Sequence, residues 1–175
     1  LLHMEQFTQI FQDPGDQVDL YSEVYLGRER SLNRLVAIKV LSPKLSGDAV
    51  AMGRFEREAR AAAALNHPNA VPVFRFDSLS SGVPYLIMYY VAGGTLEDRL
   101  AREGPLTVAE ARKVLMQTAS ALAAAHESGF VHRDIRGGNI LCEKEKGRIL
   151  VGDFGLAGVI PGGDTDDPRL TRTGE

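Results

Sequence analysis

Three short segments of the chain carry side chains that could handle a charged substrate. Lys39 ends an apolar run, Asp134 and Asn139 stand in the sequence H-R-D-I-R-G-G-N, and Asp153 opens the sequence D-F-G. Carboxylate and amide oxygens are ligands that Mg²⁺ prefers, and a lysine ammonium is a point charge for anionic groups. Each residue alone is more simply explained as a turn aspartate or a solvated lysine. The order of the motifs must therefore distinguish a chemical role from a structural one.

That order resembles the signature set of protein kinases, which includes a catalytic loop H-R-D-x-x-x-x-N. Three further pieces fit it: F-E-R-E-A at residues 55–59, L-N-H-P-N at 65–69 and P-Y-L-I-M at 84–88. On these motifs the chain is identified as a bacterial-type serine/threonine protein kinase catalytic domain from residue 20 to residue 175. The implied activity is transfer of the γ-phosphate of ATP to serine or threonine hydroxyls of proteins, with Mg²⁺.

The resemblance also implies a role for each motif residue, because phosphoryl transfer depends mainly on positioning and charge neutralisation. Lys39 would reach the phosphates and pair with Glu58, while Asp134 would orient the attacking hydroxyl and take its proton. His132 would pack the loop, and Arg133 would meet a phosphate on the activation segment. The implied site residues are Lys39, Asp134, Arg136 and Asn139 for catalysis; Lys39, Glu58, Val24, Ala37, Met88, Tyr90, Val91 and Leu141 for the nucleotide; and Asn139 and Asp153 for the metal.

The first half of the chain reads as strands with one helix. Strand patterns at residues 23–30 and 34–41 flank a three-residue turn, which predicts a hairpin, and two more follow at 71–76 and 84–91. Between them, residues 48–65 show helical spacing of Phe55, Ala59 and Ala62. We therefore expect an α+β, two-lobed kinase-like fold whose N-lobe, residues 1–91, is an antiparallel sheet with one helix.

Residues 92–175 predict a partial, mainly helical C-lobe. Thr95 and Thr107 each precede an acidic residue by three positions, as helix N-caps do, and Gly129 lies where a left-handed cap belongs. On the second helix we expect an apolar face of Val108, Ala111, Leu115, Ala119, Leu122 and Ala125. Residues 140–142 and 148–151 predict a hairpin whose charged tip, residues 143–147, is interpreted as a solvated turn. The lone Cys142 is interpreted as a small core residue.

The sequence departs from the kinase pattern at two places. The three glycines of the phosphate loop should fall at 17, 19 and 22, where the chain has Gln17, Asp19 and Ser22. An aspartate there would bring negative charge toward the phosphates, which favours as an alternative a pseudokinase acting as a nucleotide-binding or scaffolding regulatory module. In the catalytic loop, Arg136 replaces the usual lysine and Gly137 the usual proline.

The chain stops inside what resembles the activation segment. We therefore expect a truncated catalytic domain, inactive by itself, with an apolar patch around Leu115 and Leu122 that further helices would cover. Thr171 and Thr173 are candidate phosphorylation sites on this segment.

Composition limits the partners. Lys and Arg number 20 against 23 Asp and Glu, a net charge of −3, which offers no basic field for nucleic acid or an anionic membrane. A single cysteine and the absence of a signal-peptide pattern favour a cytoplasmic location. The expected partners are ATP and a protein substrate; a small-molecule phosphotransferase of similar fold is a further alternative.

Overall fold

The computed structural model describes residues 7–12, 22–154 and 158–159. Its first part is a five-stranded antiparallel sheet of β1 (Phe7–Gln12), β2 (Ser22–Glu29), β3 (Arg34–Leu41), β4 (Val73–Ser78) and β5 (Pro84–Tyr89). The strand order is β1-β2-β3-β5-β4. The predicted hairpin of β2 and β3 is confirmed, whereas β1 was not predicted.

One helix, α1 (Ala49–Ala64), packs on this sheet. The carboxylate of Asp48 accepts hydrogen bonds from the amides of Val50 and Ala51, which fixes the start of the helix. Its buried face contains Phe55 and Ala59, which pack against the buried β3 face that includes Ile38. The same cluster contains Val36, Ile38 and Val40, the residues predicted to share one face of β3.

The strand predicted to begin at residue 71 begins at Val73 instead. The amide of Val71 donates to the carbonyl of Val151 at 2.9 Å, and the amide of Val151 donates to the carbonyl of Asn69 at 2.8 Å. The backbone of Asn69 and Val71 therefore pairs with the second half of the chain, which the local pattern could not reveal.

The second half holds α2 (Leu96–Glu103) and α3 (Val108–Glu127), and both predicted capping boxes are present. A short hairpin of β7 (Ile140–Cys142) and β8 (Ile149–Val151) follows the two-residue strand β6 (Phe130–Val131), which pairs with β9 (Gly158–Val159). The sheet with one helix and the partial helical lobe confirm the predicted fold class.

The face that α3 buries differs from the apolar face identified in the sequence. The helix buries Val114, Thr118, Ala121 and Ala125, whereas Leu115 is 69% exposed. Alanines lie on both sides of α3, so a spacing of three and four fits two faces and the tertiary contacts choose between them. The exposed Leu115 and the half-buried Leu122 agree with the expected apolar patch.

Candidate active site

A cleft of about 650 Å³ lies between the sheet and the second half of the chain. Eleven of the twelve predicted site residues line it. The remaining one, Asp134, does not line the cleft but accepts a hydrogen bond from Asn139, which does. The volume is in the range of sites that take a nucleotide-sized ligand. The lining residues among the predicted set are Val24, Ala37, Lys39, Glu58, Met88, Tyr90, Val91, Arg136, Asn139, Leu141 and Asp153.

Strand register puts the sheet residues on the cleft side. Lys39 pairs with Val24 of β2 and with Leu86 of β5, and Ala37 pairs with Met88. Directly paired residues of antiparallel strands share a face, so these five side chains lie together on the side of the sheet that lines the cleft. Leu86 lines the cleft but was missed from the sequence, because only its register with Lys39 gives it that position.

Lys39 lies between two carboxylates. Its Nζ is 2.6 Å from Oε1 of Glu58 and 2.6 Å from Oδ1 of Asp153. Lys39 is 5% exposed and Glu58 is buried, whereas the Asp153 side chain keeps 33% of its surface exposed toward the cleft. These contacts join β3, α1 and the segment after β8 at a single ammonium group.

The three charges influence each other's protonation. Burial alone would lower the pKa of Lys39, but the two carboxylates outweigh it and raise that pKa. Burial raises the pKa of Glu58 to about 7 against the opposing effect of Lys39. Although burial also acts on Asp153, the adjacent ammonium lowers its pKa to about 2. Asp153 is therefore the carboxylate that stays ionised, as a cation ligand must.

The catalytic-loop residues form a second connected group. Nδ2 of Asn139 donates to the backbone carbonyl of Asp134 at 2.8 Å and to its carboxylate at 2.9 Å. Nε of Arg136 lies 3.3 Å from the same carboxylate oxygen. Because the amide nitrogen of Asn139 is used twice on Asp134, its oxygen is the atom left to ligate a cation.

His132 fixes this loop to the segment that carries Asp153. The ring is 1% exposed, and its Nε2 lies 2.9 Å from the carbonyl of Gly152. The ring also lies 4.7 Å from that of buried Phe154. Arg133 and Asp153 both have positive φ, 65° and 54°, a conformation that non-glycine residues rarely adopt and that clusters at functional sites.

The connection between the two halves packs closely on β7. A Cβ on Gly93 would lie 1.7 Å from the carbonyl oxygen of Cys142, so only glycine fits. The amide of Cys142 donates to the carbonyl of Gly94 at 2.9 Å. Cys142 itself is half-buried, and burial raises the pKa of its thiol, consistent with a packing residue.

The interpretation of residues 143–147 as a solvated turn is wrong for Glu143, which is 5% exposed. Its carboxylate accepts hydrogen bonds from Arg148 and from the hydroxyl of Tyr89. Lys144, Glu145 and Lys146 are exposed as expected. The pattern gave no sign of this contact, because Tyr89 lies 54 residues before Glu143.

Some predicted features fall outside the described residues. These are Gln17 and Asp19 of the phosphate loop and the threonines Thr171 and Thr173. Ser22, the third glycine position, is buried and lines the cleft.

Comparison with known proteins identifies the class. The family model described as "Protein kinase domain" matches residues 20–173, so the chain belongs to the protein kinase domain family. This agrees with the cleft, the Lys39 contacts and the order of the motifs.

The particular relatives are bacterial serine/threonine kinases. The chain is 39% identical over 155 residues to the serine/threonine-protein kinase pkn3 of Myxococcus xanthus, covering 87% of the chain and 28% of that protein. It is 41% identical over 142 residues to serine/threonine-protein kinase PknB of Mycobacterium tuberculosis (strain ATCC 25618 / H37Rv), covering 79% and 22%. A probable serine/threonine-protein kinase PknB of Bifidobacterium longum is 36% identical over 160 residues, covering 87% and 22%. The chain thus spans about a quarter of these relatives' length.

Membrane-spanning segments were sought among the helices of the described residues. None of those helices is both long and apolar enough to cross a bilayer.

Proposed function

We propose that this chain is the nucleotide-binding and catalytic-loop part of a serine/threonine protein kinase, with an N-lobe at residues 1–91 and a partial C-lobe at 92–175. The observation that carries the proposal is Lys39 held at 2.6 Å from both Glu58 and Asp153. A buried lysine between two carboxylates has a fixed position and a fixed charge. Its ammonium is placed at the polar end of a cleft whose other lining includes apolar side chains.

In this proposal the apolar part of the cleft takes the adenine. Val24 and Ala37 come from the sheet and Leu141 comes from β7, so a flat base can lie between the two halves of the chain. Backbone groups of Tyr90 and Val91 would meet the base edge. The phosphates then point toward Lys39, whose ammonium neutralises part of their charge.

The donor set at the polar end fits Mg²⁺. Asp153 offers an ionised, partly exposed carboxylate and Asn139 an amide oxygen, both hard oxygen ligands. The ion supplies neutralisation of the phosphate charge when bound. Lys39 keeps Asp153 ionised, and the hydrogen bonds from Asn139 hold Asp134 next to the proposed ligand oxygen of Asn139.

Asp134 is assigned the contact with the attacking hydroxyl. Its carboxylate is held by Asn139 and Arg136, which orients it at the rim of the cleft. Arg136 lines the cleft and offers a guanidinium for the γ-phosphate in place of the usual lysine. A protein substrate and a cytoplasmic location, where ATP and Mg²⁺ are available, complete the proposal.

The pseudokinase alternative rests on the missing glycines at positions 17, 19 and 22. The intact contacts of Lys39, Asp134 and Asn139 do not favour it, because a binding module does not need an oriented acceptor beside the cleft. One assay separates the two functions.

The test measures transfer of labelled γ-phosphate from Mg-ATP to the protein itself and to a generic protein substrate, using the complete protein that carries this chain. We expect Asp134→Asn to lower kcat by about 10²–10⁴ with little change in the KM for ATP, since the acceptor is lost and the nucleotide contacts remain. Asp77→Asn, an exposed aspartate on β4, is the matched control and should transfer as the parent does. Equal transfer by parent and Asp134→Asn would refute the assignment. Absent transfer with ATP still raising the melting temperature would support the pseudokinase.

A further inference from the structure

An ion pair of a buried Glu143 and a partly exposed Arg148 lies near the connection between the two halves of the chain. The Glu143 carboxylate accepts from Nε of Arg148 at 2.6 Å and from Nη2 at 3.0 Å, a two-pronged contact. The hydroxyl of Tyr89 donates to the same carboxylate at 2.8 Å. We call these three residues the hinge clamp.

The hinge clamp makes further hydrogen bonds on its C-lobe side. The amide of Glu143 donates to the carbonyl of Arg148 at 2.8 Å, which closes the β7–β8 hairpin beneath the ion pair. Nη1 of Arg148 also donates to the carbonyl of Pro68 at 3.3 Å, in the loop between α1 and β4. The Arg148 contact lowers the pKa of Glu143 to about 2, so its carboxylate is always an acceptor near neutral pH.

Tyr89 is the clamp's contact with the hinge, which is the connection between the two halves of the chain. It follows Met88 and precedes Tyr90 and Val91, the residues whose backbone groups are proposed to meet the adenine. Its own amide donates to the carbonyl of Pro72 at 2.9 Å, so backbone and side chain are both held. At the other end of the connection, the Gly94 carbonyl accepts from the amide of Cys142.

The segment from Tyr90 to Gly93 therefore runs between two anchor points on the same hairpin. One anchor is the side-chain contact from Tyr89 to Glu143, and the other is the backbone contact from Gly94 to Cys142. A backbone held at both ends presents its amide and carbonyl groups at fixed positions, and fixed donors and acceptors discriminate between ligands that differ in hydrogen-bonding pattern.

We propose that Glu143, acting through Tyr89, is a positioning residue that sets the base specificity of the nucleotide site. This inference rests on the proposed function, because it concerns how the same cleft distinguishes adenine from other purines. Glu143 does not contact the nucleotide in this proposal. It holds the hydroxyl of Tyr89, and Tyr89 holds the start of the backbone segment that reads the base edge.

The test compares the dissociation constants of ADP and GDP in the complete protein. The two ligands share ribose and diphosphate and differ only in the base, so their ratio is insensitive to a general loss of folded protein. We expect Tyr89→Phe and Glu143→Gln each to reduce the preference for ADP over GDP about three- to tenfold. The double variant should lose no more than the larger single effect, because both substitutions act on one contact. Glu145→Gln, exposed in the same turn, is the matched control and should keep the parent's ratio.

An unchanged or increased preference for ADP in Tyr89→Phe, with only a lower melting temperature, would overturn the inference and leave the clamp a stabilising contact. A parent that binds ADP and GDP equally well would overturn it too. Tyr89→Phe keeps the Glu143 and Arg148 pair, so it yields a result even where Glu143→Gln does not fold. A parent that binds ADP selectively but transfers no phosphate refutes the proposed transfer alone, and the ratio still decides the role of Glu143. A parent that binds neither nucleotide refutes both.

Discussion

Substitution of Gly93 by alanine tests how tightly the hinge packs on β7. The added Cβ would lie 1.7 Å from the Cys142 carbonyl oxygen, whereas real Cβ atoms keep at least 3.0 Å. The two segments must therefore separate by about 1.3 Å, the difference of those distances. A separation of that size breaks the 2.9 Å hydrogen bond from Cys142 to Gly94.

Two costs follow from that movement. Overpacking of a close contact costs about 1–3 kcal/mol, and a lost hydrogen bond costs about 1 kcal/mol. We therefore expect Gly93→Ala to lower the free energy of unfolding by about 2–4 kcal/mol. For a chain of this length that corresponds to a fall of roughly 5–15 °C in Tm.

The assay is urea unfolding followed by circular dichroism, with a thermal melt alongside. The matched control is Gly53→Ala in the interior of α1, where an added Cβ has nothing within 4 Å. Alanine there should raise the stability by about 0.5–1 kcal/mol, because it is the better helix former. If Gly93→Ala proved as stable as the parent, the close packing of hinge and β7 would be refuted.

Two further predictions concern buried side chains. The depressed pKa of Glu143 means that its stabilising contribution is present above the ordinary value of 4.5 and is lost as the pH falls toward about 2. The stability difference between the parent and Glu143→Gln should therefore shrink by about 1–2 kcal/mol over that interval, since water screens the partly exposed Arg148. Urea unfolding at several pH values measures it, and a difference independent of pH would contradict the pairing with Arg148. Phe154→Ala should cost about 3–5 kcal/mol, because Phe154 is buried against Ala62 and the ring of His132, and a loss below 1 kcal/mol in the same urea assay would show that this packing is absent.

The sequence was sufficient for most of the local structure. Thr95 and Thr107 predicted both helix starts because a capping box is a local hydrogen-bonding pattern. The alternation around Lys39 predicted which strand face would meet the core. The order of the motifs predicted a common site, and eleven of the predicted residues line one cleft. Their catalytic and ligand-binding roles remain predictions.

The features that the local pattern did not reveal share a physical cause. The buried face of α3, the late start of β4 and the burial of Glu143 all depend on partners far away in the chain. Thr118 is buried and Leu115 exposed because of what packs against α3, not because of their own hydropathy. Likewise, the charged turn predicted a solvated Glu143, because the sequence pattern does not show its contact with Tyr89.

The backbone pairing of Asn69 and Val71 with Val151 has a consequence for folding. These contacts join residues about eighty positions apart, a separation that slows their formation because a long loop must close first. The amide of Val71 therefore acquires its hydrogen-bond partner only after β8 is in place. In hydrogen exchange, protection of that amide would report the arrival of the C-lobe hairpin. A nascent chain ending at residue 91 lacks this partner, so the Val71 amide becomes protected only once β8 has been synthesised.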